Sequence, residues 1–232
     1  MPTPETIVIS VGGSLIVPNE IDTAFLASLK SLILRETDQD TGRRFIIICG
    51  GGKTVRKYQD AARSVDVLEP EDLDWIGIHG TRLNGHLMRT IFKDIAHPVM
   101  ITNPDDILDV PKSARLIVAA GYRPGASSDL RAIQIADRVH AHKVINLSNI
   151  DYVYTADPKK DPHAEKIERI SWSDFRKLIP EEWDPGLSSP FDPVAAREAE
   201  RLGIEVAVIN GAHLDALEHY LADEPFIGTK IS

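Results

Sequence analysis

Cysteine is almost absent from this sequence, since Cys49 is the single one among 232 residues. One cysteine can form neither an internal disulfide nor a zinc cluster. Because Cys49 ends an apolar run that begins at Phe45, we interpret it as a small buried hydrophobic residue. The 43% of hydrophobic residues are enough for an ordinary apolar core, so we expect a globular protein that needs no covalent staple.

Long apolar runs are also absent. No run approaches the roughly 18–20 apolar residues that are needed to cross a bilayer. The first run, residues 7–11, is short and is followed at once by glycine, so no signal peptide is predicted. We therefore expect a soluble, cytoplasmic protein without a membrane partner.

An excess of positive charge is missing as well, because the formal net charge is -9. Such a surface repels nucleic acid, so we do not expect a nucleic-acid partner. Small anionic ligands remain possible, since backbone N–H groups, a few cations and a metal ion are sufficient to hold them.

Short apolar runs alternate with amphipathic segments along the chain. Strands are predicted at residues 7–11, 45–49, 99–101, 116–119, 144–147 and 206–209, and helices at 21–35, 54–64, 75–95, 129–139 and 193–202. Runs of this length suit strands that are buried on both faces. The alternation predicts an α/β fold, a three-layer α/β/α sandwich with a mostly parallel central sheet, in a single domain that spans residues 1–232.

Three glycine clusters follow predicted strands: residues 12–14, residues 50–53, and the segment from Gly121 to Asp129. Ligands of such sheets bind at the carboxyl ends of the strands. Glycine there lets the backbone approach a phosphate, which the N–H groups and the helix dipole then face. Neither the Walker pattern nor the spaced dinucleotide fingerprint occurs, so the clusters predict phosphate binding outside those two familiar folds.

Several polar residues near these clusters have two interpretations each. Lys53 and Arg56 can reach an anion held by the second cluster, or form a solvated basic face. Asp74 can bind ribose hydroxyls or cap a helix. Ser127 and Ser128 can place hydroxyls beside a phosphate or serve as ordinary helix caps.

A longer segment carries a family resemblance. Residues 149–158, and 159–164 after them, resemble the nucleotide-binding segment of UMP kinases in the amino-acid-kinase superfamily. Other motifs resemble the same family in the same order along almost the whole chain, most closely its archaeal-type members: residues 12–14; residues 50–53 with Arg56 and Tyr58; residues 74–77 with Thr81, Arg82 and Asn84; residues 191–193 with Ala195 and Ala196; and Gly228 with Thr229.

The resemblance implies a role for each matching position. The residues expected to bind ATP are Gly12, Gly13, Gly52, Arg56, Ser148, Tyr154 and Asp157. The residues expected to bind UMP are Gly51, Asp74, Gly121, Tyr122, Arg123, Pro124, Gly125, Ala126, Ser127 and Ser128. The residues expected in the catalytic centre are Arg56, Lys53 and Asp129.

The resemblance also implies a reaction. The γ-phosphate of ATP would pass to UMP, with Mg²⁺ arriving with ATP and no metal ligands assigned to the protein. UMP would bind mainly to residues 1–140 and ATP mainly to residues 141–232, in a homo-oligomer built as a hexamer from dimers. The alternatives are another small-molecule kinase of the same fold, and a non-catalytic protein that binds nucleotides or stores oxyanions.

Two positions depart from the family pattern. Many members have a lysine on the first strand where this chain has Ser10, so another cation should meet the charge on the transferring phosphoryl group. Lys53, Arg56 and Arg123 are the candidates, and we favour Arg56 because its guanidinium bridges two phosphate oxygens. Tyr152 stands where many relatives have glycine, and its ring either reshapes the adenine pocket or packs on the surface.

Overall fold

The computed structural model describes residues 5–38, 42–182 and 189–232. Its strands and helices alternate along the chain, as the pattern of apolar runs predicts. None of the helices in these ranges combines the length and the apolar character that a membrane crossing requires.

The central sheet contains seven strands in the described ranges, in the spatial order β3-β2-β1-β4-β8-β9-β7. Neighbouring strands are parallel, except that β9 runs antiparallel to β8. Strands β5 and β6 form a separate antiparallel hairpin. The bounds are β1 Thr6–Val11, β2 Arg44–Cys49, β3 Leu116–Ala119, β4 Lys143–Ser148, β5 Val153–Tyr154, β6 Lys166–Ile167, β7 Arg169–Ile170, β8 Glu205–Asn210 and β9 Thr229–Ile231.

Helices cover both faces of the sheet, so the prediction of three layers is confirmed. The bounds are α1 Gly13–Ile16, α2 Thr23–Asp38, α3 Gly52–Val65, α4 Pro70–Ile91, α5 Ser128–Arg138, α6 Trp172–Leu178, α7 Pro193–Leu202 and α8 Leu214–Leu221, with a 3₁₀ helix at Pro104–Asp109. Ile7 and Ile9 of β1 pack into the apolar layer with α2 and α8, whereas Val8 packs into the layer with α5, α6 and α7. Successive side chains of a strand point to opposite faces of the sheet, so each strand contributes to both apolar layers and is buried on both faces.

One predicted strand is wrong. Residues 99–101 form no strand, and only Ile101 makes a β-bridge, to Ala119 at the edge of the sheet. Pro98 has no N–H for a ladder and Val99 is exposed, so the segment pairs with β3 at a single point. The other predicted strands all form, each extended by at most two residues.

The start of α4 corrects a second prediction. The helix was expected from Trp75 to Ile95, but it begins at Pro70 and ends at Ile91. Pro70 has a backbone torsion that suits the first helical turn, and Glu71 and Asp72 face the positive end of the helix dipole. Asp74 is therefore inside the helix and does not cap it, so the cap interpretation is wrong.

The short helices α1, α6 and α8 and the 3₁₀ helix were not predicted. Helix α6 has a recognisable start, because the Ser171 side chain accepts a hydrogen bond from the backbone N–H of Asp174. Gly228 and Thr229 resemble the start of the family's C-terminal strand, and a strand does form there, since β9 begins at Thr229. The predicted helices corresponding to α2, α3, α5 and α7 form with ends shifted by a few residues at most.

Candidate functional site

A cleft of about 330 Å³ opens at the carboxyl ends of β1, β2 and β3. It brings together all three glycine clusters and the helices α3, α4 and α5. The predicted site residues that line it are Gly13, Gly51, Gly52, Arg56, Asp74, Gly121, Arg123, Pro124, Ala126, Ser127, Ser128 and Asp129. The predicted residues outside its lining are Gly12, Lys53, Tyr122, Gly125, Ser148, Tyr154 and Asp157.

The first two glycine clusters are packed directly against each other. A Cβ atom on Gly13 would overlap the backbone nitrogens of Gly51 and Gly52. Gly52 has φ +68°, a left-handed conformation that costs glycine little. The two turns are therefore in direct backbone contact, with no room for a side chain at Gly13, and residues of both turns line the cleft.

Helix α4 holds the second cluster through Asn84. The buried Asn84 side chain donates hydrogen bonds from Nδ2 to the carbonyl oxygens of Gly50, at 2.8 Å, and Gly51, at 3.1 Å. A carbonyl oxygen occupied in this way is not free to repel an anion, so the Asn84 contacts favour an anion-binding turn.

The same helix holds the third cluster. Arg82 donates from Nε to the carbonyl oxygen of Gly121 and from Nη2 to that of Tyr122, both at 3.0 Å. Thr81 Oγ1 accepts a hydrogen bond from the N–H of Gly121 at 2.9 Å, and Asp74 Oδ2 accepts one from the N–H of Gly125 at 2.8 Å. One helix thus fixes two glycine loops that face each other across the cleft.

The third cluster ends at the N-terminus of α5. Ser127 is the N-cap, and its hydroxyl oxygen accepts a hydrogen bond from the N–H of Leu130 at 3.1 Å. The cap interpretation is confirmed for Ser127, which also lines the cleft. Ser128 is the first residue of the helix, where the dipole favours an anion.

Asp129 faces the cleft and is held by two donors. Ser10 Oγ donates to Asp129 Oδ1 at 2.9 Å, and the backbone N–H of Asp192 donates to Oδ2 at 3.3 Å. Burial raises the pKa of Asp129 to about 6, and the nearby Asp192 carboxylate adds to the rise, while the Ser10 hydrogen bond lowers it. Ser10, at the position of the family lysine, is thus engaged with a carboxylate.

Asp192 is a cleft residue to which the sequence assigned only a helix start. It caps α7, with Oδ1 accepting a hydrogen bond from the N–H of Ala195 at 2.6 Å, and it also lines the cleft. Burial raises the pKa of Asp192 above its usual value. An aspartate directly before a proline that starts a helix is typical of a cap, but the position of Asp192 beside Asp129 is a property of the tertiary structure.

Two cations face the cleft without an anionic partner. Arg56 and Arg123 line it, and neither forms an ion pair with a carboxylate in the described part of the chain. Lys53 is exposed at the start of α3, outside the lining. The cleft therefore has two free guanidinium groups for an anionic ligand.

The described residues contain no cluster of three or more His, Cys, Asp or Glu side chains suited to a metal ion. Magnesium is commonly bound by one or two carboxylates together with substrate phosphates. Asp129 and Asp192 fit that arrangement, because both line the cleft next to the glycine turns.

The predicted ATP-side residues outside the glycine turns are Ser148, Tyr154 and Asp157, and the last two belong to the β5–β6 hairpin and its connecting loop. Ser148 ends β4, Tyr154 lies on β5, and Asp157 lies in the following turn, where it accepts a hydrogen bond from the N–H of Lys159 at 3.0 Å. Tyr152 packs against this hairpin, since the Lys166 ammonium lies 4.8 Å from the centroid of its ring.

A buried hydroxyl ties the hairpin to the main sheet. Thr229 Oγ1 accepts a hydrogen bond from the N–H of Val153 at 2.8 Å and donates one to the carbonyl oxygen of Ile167 at 2.5 Å. Thr229 on β9 thus contacts both strands of the hairpin, which places Tyr154 and Asp157 relative to the sheet.

The sequence profile described as the amino acid kinase family matches residues 5–210. The chain belongs to the amino acid kinase family. Two relatives named uridylate kinase are similar over almost the full length. The protein of Methanospirillum hungatei JF-1 is 32% identical, over 98% of this chain and 94% of the relative. The protein of Methanocorpusculum labreanum is 34% identical, over 96% of this chain and 94% of the relative.

Solved structures of this kinase family share the fold. The uridylate kinase of Archaeoglobus fulgidus has a TM-score of 0.80 at 28% identity, covering 97% of this chain and 99% of that one. The UMP kinase of Ureaplasma parvum has a TM-score of 0.79 and covers 98% of both chains, but at 20% identity it supports the fold alone.

Proposed function

We propose that this chain is an ATP-dependent UMP kinase, which transfers the γ-phosphoryl group of ATP to UMP and yields ADP and UDP. The observation that carries the proposal is the cleft itself, in which α4 presents Asp74 and fixes two glycine loops across from each other. Relatives that align with nearly the whole chain are named uridylate kinase, which supports the same reaction.

In this proposal the two phosphorylated ligands meet end to end. The loop from Gly121 to Ser128 receives the phosphate of UMP, and Asp74 holds its ribose hydroxyls. The phosphates of ATP lie over the interlocked turns at Gly13 and Gly52. Because the acceptor phosphate is already anionic near neutral pH, no general base is needed, and positioning supplies much of the rate.

The remaining task is to stabilise the charge on the phosphoryl group during its transfer. Arg56 and Arg123 line the cleft and pair with no carboxylate among the described residues, and preorganised donors of this kind stabilise a transition state. Magnesium bound with ATP would neutralise charge on the phosphate oxygens, and Asp129 and Asp192 are the carboxylates that would face it. Ser10 keeps the Asp129 carboxylate oriented through its hydrogen bond.

A panel of acceptors with MgATP, read as ADP release, tests the proposal. We expect UMP to be the best acceptor, CMP and AMP to be much poorer, and a divalent metal to be required. Equal or faster turnover of isopentenyl phosphate, carbamate or acetylglutamate would assign the chain to another kinase of this fold. Nucleotide binding without any ADP release would indicate a non-catalytic role.

The assembly and location belong to the same proposal. We expect a hexamer built from dimers, which light scattering on the purified protein would measure, and an enzyme that acts in the cytoplasm. The division into a UMP side at residues 1–140 and an ATP side at residues 141–232 stays a prediction, which binding of each nucleotide to variants of each side would test.

A further inference from the structure

Arg131 on α5 is a buried arginine that pairs with no acidic residue in the described ranges. Its side chain has 4% relative exposure. Nη1 donates to Oε1 of Gln134 at 2.6 Å, Nη2 donates to the carbonyl oxygen of Arg123 at 3.3 Å, and Nε is buried without a hydrogen-bond partner. The positive charge is thus met by neutral oxygens alone.

The surroundings of Arg131 make this charge costly. Burial lowers the pKa of Arg131, and the charge of Arg123 lowers it further. Both guanidinium groups lie near the Tyr122 ring, at 5.4 Å from its centroid for Arg131 and 5.7 Å for Arg123. A buried charge without a counter-ion costs folding stability, and replacing buried charges with apolar side chains is often neutral or stabilising. The Tyr122 ring offsets part of this cost through a cation–π contact, but an apolar side chain would avoid the cost altogether, so folding stability gives little reason for an arginine here.

The contacts of Arg131 complete a pattern along the third glycine cluster. Arg82 binds the carbonyl oxygens of Gly121 and Tyr122, and Arg131 binds that of Arg123. Three successive carbonyl oxygens are therefore held by guanidinium groups. Arg82, Arg123 and Arg131 form no ion pair with a described carboxylate, so three guanidinium groups gather at this loop in a chain whose net charge is -9. The Asp74 carboxylate also touches the loop, but it binds the N–H of Gly125 and not an arginine.

We propose that Arg131 is a positioning residue for the phosphate of the acceptor. It attracts this phosphate by adding a positive charge to the loop, although its own side chain does not line the cleft. It also fixes the backbone of Arg123, whose own side chain lines the cleft. A bound phosphate then supplies the anion that the buried guanidinium lacks. This inference rests on the proposed function, because it assumes that the loop receives a phosphorylated acceptor.

The test replaces the charge with an apolar side chain of similar length, Arg131→Met. We expect the affinity for UMP, measured by calorimetry, to fall roughly tenfold, as for the loss of a unit charge that acts through the protein over several ångströms without direct contact. Binding of uridine, which has no phosphate, should not change, and neither should the KM for ATP. The melting temperature should stay the same or rise, which a merely structural arginine would not allow.

Three further variants make the result decisive. Arg138→Met on the same helix removes an exposed arginine that pairs with Asp105 and should leave UMP affinity unchanged. Arg131→Lys should restore part of the affinity because it restores the charge. If Arg131→Met is insoluble, Arg131→Gln removes the charge while keeping a polar group, and the same measurements apply to it.

Two results would overturn the inference: a lower melting temperature with an unchanged ratio of UMP to uridine affinity, or equal weakening of UMP and uridine. Turnover of the wild-type protein is measured separately. A wild type that binds UMP without ADP release would contradict the proposed function and leave the binding comparison valid. A wild type that binds no UMP would contradict both.

Discussion

The two sides of the proposed reaction are built in different ways. On the acceptor side, Asn84, Arg82, Thr81 and Asp74 of one long helix bind the backbone of two glycine loops. On the ATP side, the turns at Gly13 and Gly52 are packed just as firmly, but the predicted contacts Tyr154 and Asp157 belong to a hairpin of two-residue strands, which Thr229 ties to the sheet. Elements with few buried contacts open more readily than those fixed to a core. We infer that the glycine turns and the acceptor loop are preformed, whereas the hairpin of the ATP side depends on a few bonds.

The largest effect on turnover is expected from a residue that contacts both substrates, so its substitution is the strongest test of the difference between the two sides. Arg56 lines the cleft together with residues of the glycine turns and of the acceptor loop. We expect Arg56→Ala to lower turnover by at least about 100-fold, as for other lost electrostatic stabilisers. Arg56→Lys should recover only part of the loss, because a point charge cannot make a bidentate contact.

Steady-state kinetics with both substrates would check the Arg56 prediction. Lys53→Ala, on the same helix but outside the cleft lining, should cost less. Near-normal turnover of Arg56→Ala with only a raised KM would show equal binding of ground and transition states. The search for the cation that replaces the family lysine would then move to Arg123 and Lys53.

The acceptor side alone is probed by Asp74→Ala. If Asp74 holds the ribose, the variant should weaken UMP far more than dUMP, by about 10- to 150-fold for a lost charge-assisted hydrogen bond. The contact to the N–H of Gly125 is also lost, but that loss affects UMP and dUMP alike. The ratio of the two KM values therefore isolates the ribose contact. Asp72→Ala, in the exposed first turn of α4, is the matched control, and equal weakening of both nucleotides would contradict the assignment.

The ATP side alone is probed by Thr229→Val. The variant keeps the shape of the side chain but leaves the N–H of Val153 and the carbonyl oxygen of Ile167 without their partner. Each lost hydrogen bond is worth about 1 kcal/mol, and the two together about 2 kcal/mol, so we expect the KM for ATP to rise by up to about thirtyfold. The KM for UMP should stay within about twofold of the wild type.

Thr229→Ser retains the hydroxyl and serves as the control for the hairpin. It should behave like the wild type in the KM for ATP. An equal rise in both KM values for Thr229→Val would show that the hairpin does not act on ATP selectively, and the contrast between the two sides would fail.

The smallest expected effect concerns pH and Asp129. Because burial raises the pKa of this carboxyl to about 6, its ionised form is less stable in the folded than in the unfolded chain. The stabilising contribution of Asp129 is present below its unfolded pKa of about 4 and is lost as the pH rises through about 6. Asp129→Asn should therefore raise the melting temperature at pH 8 but not at pH 4, while lowering activity.

The same group should set the acid limb of the activity profile. If Asp129 acts as a carboxylate, turnover should fall below about pH 6, and Ser10→Ala should shift that limb upward by less than about one unit. The shift follows because the Ser10 hydrogen bond lowers the pKa of Asp129. A downward shift, or an unchanged profile, would contradict this interpretation.

Local patterns in the sequence determined much of the fold. The apolar runs identified every long strand of the sheet, and the burial of Ile9, Ile47 and Ile145 follows from strands covered on both faces. The glycine clusters predicted the edge of the sheet at which the cleft opens, since each follows a strand. The same reasoning failed at residues 99–101 and at the start of α4, where proline and edge position outweighed the apolar pattern.

Only the tertiary structure decided which side chains support these loops. Ser10 meets Asp129 across 119 positions of sequence, Asp192 lies beside the same carboxylate, and Asn84 reaches back to Gly50. It also decided that Arg131 lies buried without a counter-ion. Periodicity and turn chemistry report on neighbours within a few residues, whereas these contacts depend on how the layers pack. The sequence by itself predicted where phosphates bind, and the packing of α4 and α5 against the sheet determined which side chains hold those loops.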